Sequence, residues 1–125
     1  MMLGKVVLGI SALVFTAYGV ISLLAPGIPA GLAGLDIGNG DAYAEIGAMY
    51  GGLQTGLGVY CFFALTRPDL YRPGLLLLGL AIGALAIARL FSVLMGDDVV
   101  TGYTYGALAY EFITATAATA ALMRD

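Results

Sequence analysis

Val6 to Leu24 is a run of nineteen residues without one charge. At 1.5 Å of rise per residue it makes a helix of about 28 Å, close to the thickness of a bilayer's hydrocarbon core. Lys5 precedes it, and Pro26 and Pro29 follow. A secretory signal also has a basic flank, and Ala30 and Ala33 would suit cleavage, but its apolar region spans only about 7–15 residues. The run therefore reads as a transmembrane helix.

Three more apolar segments of helix-spanning length follow, at 43–65, 74–95 and 103–123. The breaks between them are clear. Residues 25–42 hold five glycines and two prolines, which stop a regular helix, although Leu32, Leu35 and Ile37 could lay a short turn on the interface. Thr66-Arg67-Pro68 ends the second segment, because proline biases the preceding residue away from helix. Pro73 opens the third as a first-turn residue, and Gly96-Asp97-Asp98 closes it. The short links predict antiparallel neighbours. The expected fold is all-α: a polytopic membrane protein forming an antiparallel four-transmembrane-helix bundle, one domain over 1–125. Composition agrees. Hydrophobic residues make up 61% and charged residues 10%, against about 25% charged in soluble domains. A soluble chain this small could not bury so much apolar surface, so the lipid bilayer is its expected partner.

Charge sets the orientation. The N-terminal segment, the 66–73 link and the C-terminal segment carry Lys5, Arg67, Arg72 and Arg124. The other two links carry Asp36, Asp41, Asp97 and Asp98 and no base. The positive-inside rule then predicts a protein of the cytoplasmic (inner) membrane with both termini in the cytoplasm. Tyr43, Tyr103 and Tyr105 would lie at the outer interface and Tyr71 at the inner one. The net charge of −3 argues against a nucleic-acid partner. Without histidine, and with Cys61 alone, the chain offers no zinc, haem or Cys-His constellation and no internal disulfide. No cofactor and no metal is expected. Asp36, Asn39 and Asp41 lack the spacing and closing Glu of a calcium loop and read as turn and helix-cap residues.

Three ionisable residues fall inside the apolar segments: Glu45, Arg89 and Glu111. Arg89 is eight residues before Asp97, and Glu111 eight after Tyr103, which puts both about 12 Å below the outer surface. Equal depth on consecutive antiparallel helices predicts an ion pair. Glu45 is about one turn shallower, within reach of a snorkelling arginine. Tyr18, Tyr50 and Tyr110 come out near the same depth. A candidate polar layer therefore holds Tyr18, Glu45, Tyr50, Arg89, Tyr110 and Glu111. It reads first as a lock that fixes helix pairing, and second as a pocket for a head group, ion or proton. Intramembrane charges are expensive, normally paired, and functional hypotheses by default.

Small residues form the other constellation. Gly51 and Gly52, with Gly52-x-x-x-Gly56, on the second helix and Gly79-x-x-x-Gly83 on the third allow backbones to approach closely. The two motifs are expected to pack against each other. Residues 114–121 of the fourth helix are only Thr and Ala, a surface either clamped in the bundle or covered by a lipid tail or partner helix. Gln54 is the one amide at mid-depth and is expected to bond a neighbouring helix.

Glu45 with residues 48–52, Gly58, Ala88-Arg89-Leu90 and Tyr110-Glu111 together resemble the bacterial domain-of-unknown-function 4345 family. The resemblance runs over nearly the whole chain and implies a four-helix integral membrane protein with no established activity. In the family pattern an arginine stands two residues after the acid of the second helix; here that residue is Gly47. The expected function is a non-enzymatic membrane component: an accessory subunit, scaffold or lipid-contacting protein, with a partner membrane protein or a homo-oligomer as the contact. The alternative is a small-molecule or ion carrier using the polar layer. An enzyme, with Glu111 and a tyrosine as acid and base, ranks last, and no catalytic residue is assigned.

Overall fold

The computed structural model describes residues 1–125 and contains helices only. There are five: α1, Met2–Leu24; α2, Gly27–Ala33; α3, residues 40–66; α4, Pro68–Met95; and α5, Gly102–Arg124. Helices α3 and α4 each contain a wider π-helical stretch, Gly47–Gly52 and Leu78–Ile82.

Local chemistry explains the boundaries. The link after α1 is more ordered than its glycines suggest. Pro29 sits in the first turn of α2, where its missing N–H has no helical acceptor to lose. Gly34 ends α2 in the left-handed region at φ 72°, and the Leu35 amide donates back to the Ala30 carbonyl at 2.8 Å. That is the usual glycine stop. Asn39 caps α3, its side chain accepting from the Ala42 amide at 2.9 Å. Helix α4 starts earlier than the sequence suggests. Arg67 is extended, at φ −119° and ψ 117°, the conformation favoured before a proline. Pro68 is then the first helical residue and Pro73 lies inside the helix. The expected 67–73 link shrinks to one residue, because Pro73 removes only one hydrogen bond near the helix start.

Helices α1, α4 and α5 are long and apolar enough to cross a membrane. Only 33%, 28% and 28% of their apolar windows are buried within the chain. Exposed Leu13, Leu80, Ile87, Phe91, Leu94 and Ile113 need an apolar solvent, so this is an integral membrane protein. Helix α3 is as long but less apolar, being diluted by Glu45, Tyr50, Gln54, Thr55 and its glycines.

The chain divides into two compact units. One comprises Met1–Leu8 and Ala64–Asp125. In it α4 and α5 run antiparallel: Gly83 faces Ala115, Gly79 faces Thr119, and Arg72 donates to the Leu122 carbonyl at 3.0 Å. Leu75, Leu78, Ile82 and Ala86 of α4 are buried, as are Thr114, Ala115, Ala118 and Ala121 of α5. The Thr/Ala segment of α5 thus spends one face on packing. The other unit is Gly9–Phe63. In it α1 and α3 run antiparallel at near backbone contact, with Gly58 against Ala12 and Thr16, Gly19 against Gly51 and Thr55, and Gly51 against Leu23.

The glycine motifs accordingly have other neighbours than the sequence suggests. A methyl at Gly79 or Gly83 would meet only α5. At Gly56 it would meet open space, and at Gly52 only the Gly47 carbonyl of its own helix. The residues of α3 that allow close approach are Gly51 and Gly58, and they serve α1.

Candidate functional site

Arg89 and Glu111 form a two-point ion pair. The guanidinium Nε donates to Oε1 at 2.8 Å and a terminal nitrogen donates to Oε2 at 2.9 Å. Both carboxylate oxygens are engaged by one planar group, the strong geometry for such a pair. The backbone produces it simply. Gly79 against Thr119 and Gly83 against Ala115 bring α4 and α5 together, and residues 89 and 111 lie further along the same pair, towards the connecting loop. The Glu111 side chain is 7% exposed and that of Arg89 27%. The acid is thus the inner member, and the long arginine side chain covers it.

The remaining residues of the candidate layer are spread over the chain. Tyr110 adjoins Glu111 on α5 and is half-buried. Tyr18, Glu45 and Tyr50 belong to the other unit. Tyr18 is half-buried on α1, and Tyr50 is half-buried in the π-helical stretch of α3. Glu45 is exposed and its side chain makes no hydrogen bond or ion pair. Gln54 is half-buried. Cys61 is buried and free. No group of His, Cys, Asp and Glu is placed to hold a metal ion.

A second polar cluster lies at the opposite end of the α4–α5 pair. The Tyr71 hydroxyl bonds Asp125 Oδ2 and lies 3.3 Å from the Met1 carbonyl, while the Met1 amino group is 3.2 Å from Asp125 Oδ1. Gly4 makes room for it, since a methyl there would run into the Tyr71 ring. The tyrosine hydrogen bond holds the Asp125 carboxyl below the usual range; partial burial opposes this, and the neighbouring amino group and Arg124 reinforce it. Sequence reasoning placed Tyr71 as an interfacial anchor and missed this cluster. The signal was present in the pairing of a tyrosine and an aspartate at two helix ends predicted to lie on the same side.

Residues 3–122 match the model of the family described as Domain of unknown function (DUF4345). The chain belongs to the DUF4345 family. The match takes in both halves of the Arg89–Glu111 pair, the packing glycines Gly51 and Gly58, and exposed Glu45. Nothing matches this DUF4345 chain among curated proteins or among solved structures.

Proposed function

We propose that this DUF4345 protein is a four-span protein of the cytoplasmic membrane, with both ends of the chain on the cytoplasmic side. It acts as a non-enzymatic membrane component: an accessory subunit, scaffold or lipid-contacting protein. Arg89 and Glu111 serve as a structural lock between α4 and α5. The observation that carries this reading is the two-point pair itself. Glu111 is buried and has both oxygens bonded, so it offers neither a free base nor an open ligand. A buried ion pair is best attested as a device for register and specificity.

Parity supports the fourth crossing. Met1, Tyr71 and Asp125 meet, so α1, α4 and α5 share one end. The chain leaves that end along α1 and must be back by Pro68. The one long helix between is α3, which runs antiparallel to α1 over residues 12–23. On this four-span reading Lys5, Arg67, Arg72 and Arg124 fall on one side of the membrane and Asp36, Asp41, Asp97 and Asp98 in the links on the other, as the positive-inside rule asks of a cytoplasmic and an outer face. The open strip at Gly52 and Gly56 of α3 is smooth enough for a partner helix or a second copy of the chain to approach.

Reporter fusions test the topology. A reporter active only outside the cytoplasm should work when fused after Asp36 or Asp97 and fail after Arg67 or Arg124; the reverse result at Arg124 refutes the orientation. Thiol labelling tests the lock against the carrier. In a Cys61→Ser background, a cysteine at Tyr110 should resist a water-soluble maleimide in intact cells. Rapid labelling from outside would show an aqueous path beside Glu111 and overturn the lock.

A further inference from the structure

Within the unit formed by Met1–Leu8 and Ala64–Asp125, the first turns of α1 and the last turn of α5 line an open cleft of about 460 Å³. That volume falls in the range of about 300–1,000 Å³ usual for small-molecule sites. Its walls are Met2, Leu3, Val6 and Ala121, and its rim carries Arg124. We propose that this cleft binds one anionic phospholipid, with a stretch of acyl chain along Leu3, Val6 and Ala121 and the phosphate on Arg124.

Charge decides the headgroup. Asp125 is on the same rim, but Tyr71 and the Met1 amino group already engage both its oxygens. Arg124 makes no hydrogen bond or ion pair within the chain, and neither does Lys5, which lies between Leu3 and Val6 on α1. Arg72 sits on this end too, bonded to the Leu122 carbonyl. The field at the rim is therefore positive and unbalanced. A guanidinium with all its donors free is the side chain best shaped for a phosphate. A zwitterionic lipid would bring an ammonium group into the same net-positive field. Free phosphate would satisfy Arg124 and leave the apolar walls wet. A lipid satisfies both, and it is present at this depth on the four-span reading above, on which the site rests.

The test uses the full chain in nanodiscs and in mild detergent, with bound lipid counted by native mass spectrometry. The wild type should retain one phosphatidylglycerol and discriminate against phosphatidylcholine. Arg124→Gln should weaken phosphatidylglycerol retention roughly tenfold, the effect of removing one charge-assisted hydrogen bond. Val6→Trp, which fills the cleft and leaves the charge alone, should abolish retention of either lipid. Arg67→Gln, which alters a cation already paired with Asp69, should change nothing. Excess inorganic phosphate should displace no lipid. Equal retention of the two lipids, displacement by phosphate, or full retention in both Arg124→Gln and Val6→Trp overturns the proposal. Gel filtration separates misfolding from lost binding, and the reporter fusions separate a failure of this site from a failure of the topology.

Discussion

Replacing Gly19 by alanine should force α1 and α3 apart. A Cβ at Gly19 would lie 2.5 Å from the Thr55 amide nitrogen and 2.7 Å from the Gly51 carbonyl oxygen, with the Thr55 hydroxyl in the way as well. Carbon and nitrogen or oxygen normally rest at about 3.5 Å. Both hard obstacles are helical backbone, and the hydroxyl is committed to the Gly51 carbonyl at 2.8 Å, so nothing can swing aside. The helices must separate by nearly 1 Å. A gap of that size forfeits between a quarter and a half of the dispersion energy of the contacts it opens. Overpacking of this kind costs about 1–3 kcal/mol. Alanine returns up to about 1 kcal/mol of helix propensity, so with the full return the net loss is up to about 2 kcal/mol. Gly56→Ala is the matched control. It meets open space and should be neutral or stabilising by up to about 1 kcal/mol. Reversible unfolding in mixed detergent, followed by far-ultraviolet circular dichroism, measures both. If Gly19→Ala proves as stable as Gly56→Ala, close backbone approach does not hold α1 to α3.

Glu111→Leu strands the Arg89 guanidinium and should cost about 3 kcal/mol, at the low end for breaking a buried pair because the arginine is partly exposed. The double variant Arg89→Met/Glu111→Leu should recover most of that loss in the same unfolding assay; equal or greater damage would show the charges do more than lock the helices. Gly58→Ala should behave like Gly19→Ala, since its Cβ would lie 2.5 Å from the Thr16 amide nitrogen. Asp125 gives a pH dependence. Its folded pKa is depressed, so its contribution is present above the ordinary aspartate value and is lost as pH falls through the folded one. Asp125→Asn should lower thermal stability at pH 6 and match the wild type well below pH 4; a constant difference would exclude the carboxylate as the cause.

Much of this was written in the sequence, but not evenly. Counting residues from the helix ends gave the depth of Arg89 and Glu111, and consecutive antiparallel helices gave their direction, so the pair was legible. The same count put Glu45 near the layer and carried no information about its face. Depth along a helix follows from 1.5 Å per residue whatever the neighbours do, whereas the face depends on an unbroken 3.6-residue turn. The π-helical stretch Gly47–Gly52 breaks that turn directly after Glu45. An extra residue in one turn rotates everything beyond it. The glycines failed for a related reason. Gly51 and Gly52 are adjacent, and the motif favoured Gly52 because Gly56 lies four residues on. The row that packs is Gly51, Thr55 and Gly58, spaced four and three, equally visible had small residues been counted with glycine.

The two units use different means to solve one problem. In lipid, apolar side chains gain little by leaving the solvent, so helices must be joined by close packing or by polar contacts. Helices α1 and α3 use close packing, with a glycine from each lying against the other's backbone at Gly19 and Gly58. Helices α4 and α5 approach at Gly79 and Gly83 and then add Arg89–Glu111 towards one end and Arg72 on the Leu122 carbonyl towards the other. Close packing holds over the length of a helix but has near-equivalent registers one turn apart. A two-point ion pair has one. Shifting α5 by a turn against α4 would carry Glu111 about 5 Å from Arg89 and leave both charges unpaired inside the apolar length. The pair therefore stands where register is otherwise least determined, on a helix whose Thr and Ala side chains offer few large knobs to fix it. On the proposed lock the two most expensive residues in the chain have a structural use, and Glu45, exposed at the start of α3, is the one such acid that nothing within the chain satisfies.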